Sequence, residues 1–110
     1  MIVSIEGNTY IITQEKLQLV EFIYKLKTDY GKFENSNIIV NLFSLKELDN
    51  NDLLEFLQLS NAHRENKHSF VIVTTNRSIN EIDEKLIVVP TLQEAKDIIE
   101  MEEIERDLGF

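Results

Sequence analysis

Cysteine and tryptophan are absent from this 110-residue chain, proline occurs once and glycine three times. Without cysteine there is no disulfide, no thiolate nucleophile and no cysteine-ligated metal. The glycines, at positions 7, 31 and 109, are too scattered for a glycine-rich phosphate loop. Neither G-x-G-x-x-G nor G-x-x-x-x-G-K-[ST] occurs, and no serine sits in G-x-S-x-G. No apolar run approaches the roughly 20 residues that span a bilayer. The opening MIVSIEGNTY lacks a basic start, a long apolar stretch and a small-residue cleavage site, so no signal peptide is expected and the expected compartment is the cytoplasm.

Basic charge is also scarce. Eleven lysines and arginines face twenty aspartates and glutamates, a net charge of −9. The excess is concentrated late: residues 81–110 hold ten acidic and three basic side chains, whereas the first eighty hold ten and eight. An acidic chain repels phosphate backbones, whose neutralisation supplies most nucleic-acid affinity, so nucleic acid is not an expected partner. A basic protein surface is the better class.

Histidine offers little chemistry. His63 and His68 are five apart, with Arg64 and Lys67 between them. A metal pair on a helix needs a spacing of three or four, and no H-E-x-x-H or H-x-H-x-D-H arrangement is present. Both histidines read as exposed residues at a helix end, where the dipole favours a cation. No metal, no cofactor and no enzymatic activity are expected. Carboxylates are plentiful, which leaves paired-carboxylate chemistry open, but they read as solvated helix faces.

What is present is a pattern of short β-branched runs and amphipathic stretches. IVSIE (2–6) and TYIIT (9–13) flank Gly7-Asn8, a two-residue hairpin signal, because both residues tolerate positive φ. Thr13 is expected to cap a helix reaching Tyr30, with Leu19, Ile23, Leu26 and Tyr30 on one face and Gly31 as its stop. NIIVNL (37–42) reads as a strand buried on both sides. A helix is expected over about Asn51 to Asn66, then strands at SFVIVTT (69–75) and KLIVV (85–89), with polar TNRSINEIDE between them allowing about one helical turn. Pro90 ends the last strand. Thr91-Leu92-Gln93-Glu94 is a T-x-x-E capping box. It opens a helix to about Leu108 whose inner face is Leu92, Ala95, Ile99 and Met101 to Ile104. The order predicts one α/β domain over residues 1–110, with a mixed sheet of about five strands, an N-terminal hairpin and helices mainly on one face.

ELDNNDLLEFLQL (47–59) places four short polar residues, Asp49-Asn50-Asn51-Asp52, between a strand and a helix. Asn50 or Asn51 makes a good N-cap, and Asp52 with Glu55 puts negative charge in the first turn, where the dipole favours it. Capping accounts for the run by itself. It is equally compatible with a protein-contact role.

The run from Asn41-Leu42-Phe43-Ser44 through Leu48-Asp49-Asn50-Asn51-Asp52-Leu53 resembles the strand–loop–helix of STAS domains, the bacterial anti-sigma-factor antagonists, which read D-L-S-x-x-x-x-x-D-S-S-G-L. VVPTLQEAKDII resembles the strand, Pro-Thr and Glu-Ala helix that closes many of them. The resemblance implies a non-enzymatic regulatory domain that binds a protein partner through Asp49, Asn50, Asn51, Asp52 and Leu53. In the family, the second motif serine is phosphorylated, and the dianion blocks the interface by charge and bulk. Here Asn51 stands at that serine, Asn50 at the one before it and Asp52 at the glycine, so the phosphoswitch is expected to be absent. Ser44 and Ser60 match no motif position. The short segment between the last two strands leaves room for a homodimer.

The alternative is an accessory protein of an RNA-processing or other enzyme, docking through the acidic C-terminal helix of IIEMEEIERDLGF (98–110). Some STAS relatives bind nucleotides or lipids, but no phosphate cradle is visible here.

Overall fold

Five strands form one sheet in the order β1-β2-β3-β4-β5 in a computed structural model, which describes residues 1–45, 48, 50–75 and 86–109, with Asn50 described in its backbone only. The strands are β1 (Ile2–Glu6), β2 (Thr9–Thr13), β3 (Asn37–Asn41), β4 (Phe70–Val73) and β5 (Ile87–Val89). β1 pairs antiparallel with β2, and the remaining pairings are parallel. Gly7, at φ +57°, makes the tight turn of the hairpin. The architecture is the expected α/β domain with an antiparallel edge. The segment TNRSINEIDE from residue 76 onward, together with Lys85, lies outside the described residues.

Strand order follows chain order, so each parallel crossover steps the same way across the sheet. Right-handed crossovers stepping one way must put their connecting helices on one face. α1 (Leu19–Thr28), α2 (Asn50–Leu54) and α3 (Leu57–Glu65) accordingly share a face. α4 (Leu92–Asp107) follows the last strand, belongs to no crossover, and packs on the opposite face. Alternation along β3 serves both layers: Ile38 and Val40 meet Phe22, Leu26, Leu53 and Phe56, while Ile39 meets Ala95 and Ile99.

Several elements depart from the sequence expectation. Thr13 does not cap α1; it closes β2 opposite Asn41, and the next residue, Gln14, keeps the pairing by donating its N–H to the Asn41 carbonyl at 3.0 Å. The Gln14 side chain is buried and its amide donates to the Leu17 carbonyl, so the helix begins only at Leu19. α1 ends at Thr28, before Gly31, which lies in a 3-10 turn at Tyr30–Lys32. The expected single helix of residues 51–66 is two, broken at Glu55-Phe56, where both amides turn back three residues, to Asp52 and Leu53. The capping box is present: Thr91 Oγ1 accepts from the Glu94 N–H at 3.1 Å. Ala95 and Ile99 face inward as expected, but Met101 and Ile104 are 61% and 53% exposed, because the sheet beneath α4 is already covered by its first half.

Candidate functional site

α1 carries apolar residues on two sides. Phe22, Ile23 and Leu26 enter the core. Val20 and Tyr24, one turn apart on the opposite side, are 80% and 74% exposed. An outward valine–tyrosine pair is not what a single amphipathic stripe produces. Beside them begins α2. Its Leu53 is buried with Phe56, and the Phe56 ring, at the break between α2 and α3, lies 6.5 Å from that of Phe22, which ties α1 to that break in the core.

Between these walls runs a groove of about 420 Å³. Val20, Ile23, Tyr24 and Lys27 form one side, and Asn51, Asp52 and Glu55 the other. Val20 and Tyr24 also edge a second, shallower depression of about 710 Å³ on the outer side of α1, toward Lys25 and Lys32. The pair is therefore a ridge with a hollow on each side. Mixed charge at the rim and an aromatic at the centre suit the side chains of a protein partner.

The sequence-predicted contact residues separate here. Asn51 is exposed and Asp52 half-buried, and both line the groove. Asn50 opens α2. Asp49 lies outside the described residues. Leu53, 1% exposed, is an anchor of α2 and presents no surface to a partner. Residues two apart on a helix of about 3.6 residues per turn point to nearly opposite sides, which turns it inward when Asn51 faces out. Sequence reasoning missed Val20 and Tyr24. Their signal was the i, i+4 apolar pair left over once Phe22, Ile23 and Leu26 are assigned to the core.

The histidine expectation also needs correction for His63, which is fully buried. The Tyr30 hydroxyl donates to its Nδ1 at 2.6 Å, and its Nε2–H donates to the Ser36 carbonyl at 2.6 Å, so these partners assign the neutral Nε2–H tautomer. Tyr30 and Phe70 present ring edges to the imidazole. Burial pulls its pKa down to about 4, with the nearby His68 and Arg64 adding to the shift against the opposing Ser36 bond. Burial likewise raises the Tyr30 phenol above its usual value. This histidine is a structural joint between the 3-10 turn that follows α1, the loop before β3 and α3. With both nitrogens engaged it is no metal ligand, and among the described residues no cluster of three or more metal-ligating side chains occurs.

A second polar joint holds the acidic helix. Asn37 at the start of β3 accepts from the Ser69 N–H at 2.9 Å and donates to Glu103 at 2.6 Å, and Arg106 reaches Ser69 Oγ at 3.2 Å. Arg64 on α3 pairs with Glu102 at 3.0 Å and also donates to the Phe70 carbonyl. Two of the carboxylates that looked free for docking, Glu102 and Glu103, are thus internal partners. Glu100, Glu105 and Asp107 remain exposed.

Comparison of the chain with the sequence profiles of known protein families and with curated proteins gives no match.

Proposed function

We propose that this chain is a non-enzymatic protein-interaction domain of STAS-like type. Its partner is held in the groove between α1 and α2 and is not released by phosphorylation. The observation that carries the reading is the placement of Asn51 and Asp52 on the same groove as the exposed Val20 and Tyr24. The resemblance in sequence puts the partner at the loop before this helix, and an apolar ridge beside it is what an interaction surface needs and a solvated helix does not. Asn51 stands where the family has its phosphorylated serine, and an amide cannot carry a phosphate. Ser60, the nearest hydroxyl on α3, is buried.

Affinity capture with Asn51→Lys/Asp52→Lys and with Tyr24→Ala tests this. A partner recovered by the wild type and lost with both variants is the expected result. A partner retained by both overturns the assignment of the groove.

The second reading, docking through the acidic helix, draws support from the exposed Glu100, Glu105 and Asp107 alongside Met101, Ile104 and Leu108. Reversing those three charges leaves the Glu102 and Glu103 joints intact. Loss of the partner in that variant alone moves the function to α4. Turnover of RNA by the pure protein with zinc or manganese, above a buffer blank, overturns the non-enzymatic reading.

A further inference from the structure

β1 ends the sheet, and one backbone edge of it has no strand beside it among the described residues. Natural edge strands are usually blunted by lysine, proline, a bulge or a covering element, because an open edge templates pairing. Among the described residues β1 shows none of these. Its five residues run in unbroken register with β2, from Ile2 opposite Thr13 to Glu6 opposite Thr9, and all five are exposed. Ile2, Val3 and Ile5 are 51%, 41% and 59% exposed.

The charge around this edge is unlike that of the rest of the chain. Residues 2–5 carry none, and the Glu6 carboxylate is bound to Lys96 at 2.8 Å. On a molecule of net charge −9, two copies meet here without bringing unpaired like charges together. The side-chain pattern is also self-complementary. In an antiparallel pairing centred on Ser4, Val3 of one copy faces Ile5 of the other, twice, and the two Ser4 residues face each other. Val3 and Ile5 share the face of Ile12 and Tyr10, so the new contact extends the core layer already under the helices.

We infer that β1 is the pairing edge of a two-fold symmetric homodimer, in which two copies join their sheets antiparallel about Ser4. The contact is isologous and closes after two copies, so it does not propagate into a fibre. A five-residue edge buries little area, so the dimer dissociates on dilution through the micromolar range.

Sedimentation velocity from about 1 µM to about 0.5 mM, a span that brackets such affinities, reads the association directly. The wild type is expected to double its mass across that range. Ser4→Lys and Ser4→Glu each place like charges opposite one another and are expected to stay monomeric. An equimolar mixture of the two is expected to recover the dimer. A monomeric wild type, a dimer indifferent to Ser4→Lys, or a mixture that stays monomeric overturns the inference; the first outcome would leave the edge to a foreign strand. Circular dichroism checks that the variants fold. Should either fail, Ile5→Lys, at the most exposed of the three apolar positions, is expected to be monomeric and folded, and a dimeric Ile5→Lys overturns the inference equally.

Discussion

The buried histidine gives the domain a dependence on acid that can be worked out in advance. The folded pKa of His63 is about 4, against roughly 6.5 for an unfolded chain. The folded value is depressed, so as pH falls the unfolded state takes up the proton first, and protonation favours unfolding. The contribution of the neutral imidazole is complete above about pH 6.5 and is lost progressively down to about pH 4. At about 1.4 kcal/mol for each unit, the loss reaches about 2 kcal/mol at pH 5 and about 3 kcal/mol at pH 4. Against a total stability of about 5–15 kcal/mol for a domain, that is a large share. Carboxylates titrate in the same range, so the assay is a difference. Urea denaturation of the wild type and of His63→Gln at pH 7 and pH 5 gives two stability gaps. The gap is expected to shrink by about 2 kcal/mol on acidification, because the glutamine has no proton to take up. A gap constant within about 0.5 kcal/mol refutes the argument. So does an NMR titration in which the His63 ring, assigned by comparison with His63→Gln, charges near its ordinary pKa.

Two members of the candidate contact run, one buried and one exposed, should respond very differently to mutation. Leu53→Ala is expected to destabilise by about 2–5 kcal/mol through the cavity it leaves, and Asn51→Ala to change stability by less than about 1 kcal/mol; thermal melts or urea titration measure both. Asn37→Ala leaves the Ser69 N–H and the Glu103 carboxylate without the partner each has, and is expected to cost about 1–3 kcal/mol with earlier hydrogen exchange at Ser69. Unchanged exchange there would show that the joint does not hold the starts of β3 and β4 together.

The hairpin, the buried strands and the Thr91 cap were legible because each depends on neighbours in the chain. Gly7 permits a left-handed turn wherever the hairpin sits, and Thr91 and Glu94 are three residues apart. The start of α1 was not legible, because Thr13 is a good cap and a good strand residue, and the choice belongs to Asn41 across the sheet. Val20 and Tyr24 stand out as an apolar pair only once the core face of α1 is known, and that face is set by where Phe22 meets Phe56. His63 reads as a helix-end histidine until Tyr30 and Ser36, 33 and 27 residues earlier, close around it.

Sequence alone therefore determined the class of fold, the absence of cysteine chemistry and of glycine-rich phosphate loops, the acidic charge and the lack of a hydroxyl anywhere in Asp49-Asn50-Asn51-Asp52. These follow from residue identity and short-range geometry. Tertiary structure decided that Leu53 is core and Asn51 surface, that Glu102 and Glu103 are spent on internal joints, and that β1 is left with an open edge. Each of these depends on which distant segment arrives beside the residue, and burial, hydrogen-bond pairing and strand order come into being only when the chain closes on itself.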